Sequence, residues 1–259
     1  MQGYGKPNIL VSNDDGVGSG NMLALARALS SEGNVFVVAP DCEKSGVSHA
    51  FTHVGGLSVF PVAGDFPFRI HAVTGTPADT VKFAIREFYK DVQFDVLFTG
   101  LNVGENAGVS SIYSGTVAAA REGALWGVRS IAFSLCVGGE MYLNDALETA
   151  RSIVRARLYE RMRPHTFWNV NFPEGNGEPF RGLRAATMAL GMFSDHYDKN
   201  GDAWLLDGRK PSDPPEGTDD WCLLHGYAAL TPLTLDSTDH SALPEMQEFV
   251  QNFSINKDK

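Results

Sequence analysis

A chain of 259 residues with a formal net charge of −10 and a pI near 5.1 is long enough for one large α/β domain with a sizeable core. The acidity excludes general nucleic-acid binding, which needs a basic face, and it means that an anionic ligand requires a local positive offset such as a cation. Cys42, Cys136 and Cys222 lie far apart with no C-x-x-C pair, which excludes a zinc site or a disulfide framework and predicts reduced thiols in the cytoplasm.

The first seven residues carry no signal-peptide core, and no apolar run approaches membrane-spanning length. The run Asn8-Ile9-Leu10-Val11-Ser12 predicts a buried strand, and it ends abruptly in Asn13-Asp14-Asp15-Gly16. In an open α/β sheet the carboxyl end of the first strand borders the ligand crevice. Two adjacent carboxylates there form a hard anionic pocket suited to a divalent cation with oxygen ligands. All four residue types also favour a plain turn, and the segment alone leaves both readings open. Met22, Leu25, Ala26 and Leu29 then recur at helical spacing, Gly33 ends that helix, and residues 35–39 form a second buried strand. Strand, helix and strand within about thirty residues make a right-handed βαβ unit with parallel strands.

The polar loop 40–49 leaves the second strand at the same sheet edge as Asp14 and Asp15. Its Ser45-Gly46 step offers a hydroxyl and bare backbone N–H groups, and Lys44 a point charge. Residues 57–62 and 69–73 read as strands, with His71 at a core or rim position. Gly75-Thr76-Pro77-Ala78-Asp79 opens a helix with Thr76 as N-cap and Val81, Ala84, Ile85 and Phe88 on its buried face. After a strand at 94–98, the segment 99–108 is dense in Gly and Asn, including Asn102 and Asn106. Ser114-Gly115-Thr116 leads into a helix of small residues, 117–124, whose N-terminus suits an anion; the same residues are ordinary N-cap chemistry. A strand at 129–135, a helix over 144–161 and a strand at 167–173 follow. The arginines of that helix have glutamates nearby and no interleaved aromatics, the pattern of a solvated face. Residues 175–220 turn rich in Gly, Pro and Asp around a strand-like 183–190 and a hairpin-like 203–207, an extension suited to subunit contact or substrate cover. A helical turn at 221–224, a strand at 226–233 and a helix near 241–253 close the chain, with Asp236 and His240 between the last two.

No P-loop and no G-x-S-x-G elbow is present. Gly16-Val17-Gly18-Ser19-Gly20 is spaced G-x-G-x-G behind two carboxylates that repel a pyrophosphate, which argues against a dehydrogenase. Asn13 stands where an aspartyl-phosphate phosphatase of the haloacid dehalogenase type carries its nucleophile, which weakens that alternative.

Taken in order, these segments resemble the SurE family, the stationary-phase survival proteins, which are metal-dependent nucleotidases. The resemblance rests on Ile9 through Val17, on Ala39-Pro40-Asp41 with Lys44-Ser45-Gly46, on Gly75-Thr76-Pro77-Ala78-Asp79 and on Gly100-Leu101-Asn102 with Gly104 and Asn106. It continues through Tyr113-Ser114-Gly115-Thr116 and the following alanines, Asn169-Val170-Asn171-Phe172-Pro173 and Gly226-Tyr227 with Thr231-Pro232-Leu233. It implies a three-layer α/β/α sandwich with a Rossmann-like, mostly parallel sheet, a catalytic core over 1–174 and an oligomerisation extension over 175–259. It further implies hydrolysis of nucleoside 5′- and 3′-monophosphates, one Mg²⁺ or Mn²⁺ per subunit, no membrane or specific nucleic-acid partner, and a homodimer or homotetramer. By the same resemblance Asp14, Asp15, Ser45 and Asn102 are metal ligands; Asn106, Ser114, Gly115 and Thr116 hold phosphate; and Asp14, Asp15, Asp236 and His240 are the catalytic candidates. His49, Phe51 and Cys42-Glu43 depart from the family pattern. A non-catalytic nucleotide- or metal-binding regulator on the same fold is the alternative from another class.

Overall fold

The computed structural model describes residues 5–175 and 177–253. Residues 1–4, on which the reading of the N-terminus partly rests, lie outside that range, as does the end of the 175–259 extension. In chain order the elements are β1 (Asn8–Ser12), α1 (Gly20–Ser30), β2 (Asn34–Pro40), β3 (Val59–Pro61), β4 (Arg69–Val73), α2 (Pro77–Phe83), β5 (Val96–Val103), α3 (Ser110–Tyr113) and α4 (Gly115–Leu125). They continue with β6 (Arg129–Leu135), α5 (Leu143–Arg155), β7 (Thr166–Phe172), β8 (Leu183–Ala185), β9 (His196–Asn200), β10 (Ala203–Asp207), α6 (Asp219–Leu224), β11 (Ala228–Thr234) and α7 (Leu243–Asn252).

Nine strands form one sheet in the order β3-β4-β2-β1-β5-β6-β7-β11-β8. The six from β4 to β7 run parallel, while β3 and β11 pair antiparallel with their neighbours β4 and β7. The chain steps outward from β1 in one direction through β2 and β4, then returns to build β5, β6 and β7 on the other side. The gap between β1 and β5 is therefore the topological switch point, where the crevice of an open α/β sheet lies.

The layers follow from alternation along the strands. Ile9 and Val11 join Met22, Leu25 and Leu29 of α1 in one core, whereas Leu10 joins Val81 and Ala119 in the core on the opposite face. All three β1 residues are fully buried, as befits a strand covered on both faces. α1 packs with α5 over one face and α2 with α4 over the other, which gives the expected α/β/α sandwich.

Four boundaries differ from the sequence-based expectation. β5 runs on through residues 99–103, because that stretch is buried on both faces up to Asn102 and continues to pair with β6. α5 stops at Arg155: Arg157 adopts φ +50°, and a tight 3₁₀ turn at Leu158–Arg161 carries Tyr159 back into the core. β3 and β8 are each only three residues long, at the two sheet edges. β9 and β10 form a separate two-stranded hairpin whose residues are all exposed. Arg151 and Arg155 pair with Glu32 and Glu148 at the surface, as the solvated-face reading expects. No helix among the described residues is long and apolar enough to cross a membrane.

Candidate active site

Asp14 and Asp15 lie just past the end of β1, beside the switch point. The turn that carries them is fixed from three sides. The Asn13 amide donates to Gly16 O at 2.9 Å, Val17 N–H donates to Pro40 O at 2.8 Å, and Lys44 N–H donates to Asp14 O at 2.7 Å. Gly16 sits at φ +94°, and a Cβ there would fall 2.9 Å from the Cys42 carbonyl carbon, so only glycine lets the loop after β2 close over this turn.

The N-terminus of α4 lies against Asp14. Ser114 caps the helix, its hydroxyl accepting from Val117 N–H at 3.1 Å. The Thr116 hydroxyl donates to Asp14 Oδ1, and the Thr99 hydroxyl donates to Thr116 O at 2.8 Å, tying α4 to β5. A Cβ on Gly115 would stand 2.8 Å from Asp14 Cβ and 3.0 Å from Pro77 Cγ. Glycine is thus what allows the helix start to approach the carboxylate. Of the first-turn N–H groups, that of Val117 is taken by the Ser114 hydroxyl and that of Thr116 by the Asp14 carboxylate.

The end of β5 supplies the third side. Its register against β6 slips between Thr99 and Asn102, which re-aims the strand end. The Asn102 amide nitrogen donates to Gly104 O at 2.7 Å, leaving the amide oxygen as the group available to a cation. Asn106 is held from beneath: its N–H donates to Asn171 Oδ1 (2.7 Å), its side-chain amide to Ser134 Oγ (2.9 Å), and its carbonyl accepts from Asn169 Nδ2 (2.8 Å). Across from these, Ser45 donates to Glu43 Oε1 at 2.9 Å from the loop after β2.

Asp14, Ser45, Asn102, Asn106 and Ser114 all line one cleft of about 710 Å³. Asp15 is half-buried beside Asp14, and Gly115 and Thr116 stand directly behind it. Burial pushes the Asp14 carboxyl up. Burial, then the Asp14 charge, then that of Glu43 push Asp15 up to about 6. Among the described residues, four carboxylates line the cleft (Asp14, Glu105, Asp195 and Asp207) and no lysine, arginine or histidine does. The donors available near Asp14 are two carboxylates, an amide oxygen and a hydroxyl, the oxygen set that a hard divalent cation takes. Residues and cation therefore fit one another.

Asp236 and His240 are not brought to this cleft. They bond one another, Nε2 to Oδ2 at 2.7 Å, on an exposed stretch after β11. Because β11 runs antiparallel to β7, with Thr234 opposite Thr166, its end emerges at the sheet edge opposite Asp14. Other residues at the site escaped sequence reasoning. Buried Asp219 accepts from Gly108 N–H and Ala189 N–H, each at 2.8 Å, and so anchors the 104–108 loop to α6. Lys210 ties the extension to the same loop through Asp220 (2.8 Å), Glu105 (3.3 Å) and Ala107 O (3.2 Å). Phe193, Tyr197 and Leu206, in or beside the β9–β10 hairpin, form the far wall of the cleft. The one signal in the sequence was Thr218 ahead of two aspartates, an N-cap pattern at the end of the loop-rich extension.

The family model "Survival protein SurE" matches residues 9–195. Among curated relatives, the 5′-nucleotidase SurE of Petrotoga mobilis is 33% identical over 250 residues, covering 94% of this chain and 99% of that protein. The 5′-nucleotidase SurE of Vibrio parahaemolyticus is 36% identical over 249 residues, 94% of each. The crystal structure of the SurE protein from Aquifex aeolicus superposes with a TM-score of 0.82 at 32% identity, covering 94% of this chain and 100% of that one.

Proposed function

Because this chain belongs to the SurE family, we propose that it hydrolyses nucleoside 5′- and 3′-monophosphates to nucleoside and phosphate in the Asp14 cleft. The observation that carries the reading is the charge of that cleft, four carboxylates beside a helix N-terminus with no basic side chain among the described residues that line it, Lys210 reaching only Glu105 from outside. Such a lining repels a phosphate dianion unless a cation intervenes. One Mg²⁺ or Mn²⁺ per chain, held by Asp14, Asp15, Ser45 and Asn102, satisfies that requirement. When bound, the cation polarises a phosphoryl oxygen and offsets charge that builds on it.

The chain's own residues do the rest. The N–H groups at the start of α4, at Ser114 and Gly115, orient the remaining phosphoryl oxygens together with the Asn106 side chain, while buried Thr116 acts from behind by holding Asp14. Asp14 is committed to the Thr116 hydroxyl and packed under Gly115, so its role is to hold the site's geometry. Asp15, half-buried and hydrogen-bonded by the Ser19 side chain, is the carboxylate we assign to orient the attacking water and take its proton. As the new P–O bond forms, the ester P–O bond breaks and the departing alkoxide is protonated by solvent. Asp236 and His240, at the opposite sheet edge, take no part in this step within one chain.

We read 175–259 as an extension of the 1–174 core, since its β11 and β8 complete the core's own sheet. Tyr197, Trp204, Leu205 and Leu206 on the hairpin, and Met246, Phe249 and Val250 on α7, leave apolar surface exposed, which supports a homodimer or homotetramer. The three free thiols suit the cytoplasm. The test is Asp14→Asn, which should lose most turnover while the far- and near-UV circular dichroism stay native. Near-wild-type turnover with saturating Mn²⁺ would remove Asp14 from the site. A folded wild-type protein that binds nucleotide and Mn²⁺ but releases no phosphate would be a binding protein instead.

A further inference from the structure

α4 carries a second anchor beyond its N-terminus. Glu122 is 6% exposed on a helix whose other residues, apart from Thr116 and Arg121, are small or apolar. Its Oε2 lies 2.7 Å from His49 Nε2, and its Oε1 accepts from Trp126 Nε1 at 2.7 Å. Burial pushes the Glu122 carboxyl up, but the bonds from His49 and Trp126 and the charges of His49 and Lys82 outweigh it, and it stays below the usual glutamate range. A buried, hydrogen-bonded carboxylate adds little net stability over an apolar residue of similar size, so stability alone is a poor account of this pair.

His49 belongs to the loop that carries Ser45. Upstream, the loop is tied by Lys44 N–H to Asp14 O at 2.7 Å. Downstream, Ser48 sits at φ +52°, a strained value for a side-chain-bearing residue, with its N–H on Tyr113 O (2.9 Å) and its hydroxyl on Ile112 O (2.7 Å). His49 follows at once with its bond to Glu122. Between these ties Gly46 has open space around it, and the bonds within the span are local, Ser45 Oγ to Glu43 Oε1 (2.9 Å) and Ala50 N–H to Val47 O (3.3 Å). The helix whose start holds Asp14 is thus the same rigid body that holds the far end of the Ser45 loop.

The geometry points to His49 as a positioning residue: its bond to buried Glu122 clamps the Ser45 loop to α4, and so sets the distance between the Ser45 hydroxyl and the Asp14–Asp15 pair across the cation site. The inference rests on Ser45 as a cation donor, as proposed above. Neither His49 nor Glu122 lines the cleft; they act through the loop.

The experiment compares wild type, His49→Ala, His49→Gln and Glu122→Gln in two readouts. One is hydrogen exchange of the residue 43–50 amides in metal-free protein. The other is Mn²⁺ affinity by calorimetry without substrate. His49→Ala should speed exchange in that loop while β1 and β5 amides stay protected, and should weaken Mn²⁺ binding about 10- to 100-fold, as loss of an outer partner does. His49→Gln places an amide donor where Nε2 stood and should restore both readouts toward wild type. Glu122→Gln keeps the Trp126 bond, and it should fall between wild type and His49→Ala; it also reads the clamp if His49→Ala does not fold. Unchanged loop exchange and Mn²⁺ affinity in His49→Ala, or a Gln variant as impaired as the Ala variant, would overturn the clamp. A wild-type protein that binds no Mn²⁺ would instead sink the cation reading of the cleft, and the exchange data alone would then decide the clamp.

Discussion

Asp14 and Thr116 come from positions 102 residues apart, yet their side chains share a hydrogen bond, with Gly115 packed on the same carboxylate. Residue types announced part of this arrangement: adjacent carboxylates at a strand end, and Ser-Gly-Thr at a helix start. They could not announce that the two halves touch, because contact depends on strand order and not on local pattern. Glu122 was invisible for the same reason, since nothing near it in sequence reveals its partner at His49. Gly115→Ala tests the contact directly. Alanine gains at most about 1 kcal/mol of helix propensity over glycine. Against this, the added Cβ meets Asp14 Cβ at 2.8 Å and Pro77 Cγ at 3.0 Å, and neither is the free end of a flexible chain. Overpacking of this kind costs about 1–3 kcal/mol. Denaturant unfolding should therefore show a net loss, along with lower turnover. A stabilised, fully active variant would mean that α4 does not press on Asp14.

At the scale of elements, periodicity located nearly every helix and strand of the core, because a strand buried on both faces and an amphipathic helix leave strong sequence traces. The failures fall where tertiary contact overrides local pattern. Glycine and asparagine at 99–103 read as loop, but burial between neighbouring strands keeps the segment in β5. The helical period past Arg155 broke because Tyr159 has a core position to reach. The 104–108 loop depends on α6, whose Asp219 is fully buried and accepts from the N–H groups of Gly108, Ala189 and Asp220. Asp219→Ala strips the acceptor from these donors, and each buried unsatisfied N–H costs about 1–3 kcal/mol. The expected outcome is a loss on the order of 3 kcal/mol in urea unfolding, with turnover falling as the loop bearing Asn106 loosens. A loss under about 0.5 kcal/mol, the range of an indifferent surface change, would show that the loop holds its shape without α6.

For the whole molecule, a net charge of −10 and a cleft lined by four carboxylates set the terms of the function. The fold places the ends of β1, β2 and β5 and the start of α4 around one opening, and it leaves Asp236 and His240 at the other sheet edge. The sandwich and the parallel sheet were legible in the sequence, as were the two adjacent carboxylates at the end of β1. The far wall of the cleft was not, because the residues of β9 and β10 are held by pairing with each other and carry no burial pattern. What unites fold and charge is the claim that phosphate enters this cleft only with a divalent cation. The measurement that tests it most directly is phosphate release from a panel of nucleoside monophosphates, first in EDTA and then with Mg²⁺ or Mn²⁺ restored. Activity that disappears with chelator and returns with metal is the predicted result. Full activity in EDTA would contradict the account, since among the described residues no basic side chain lines the cleft to take the cation's place.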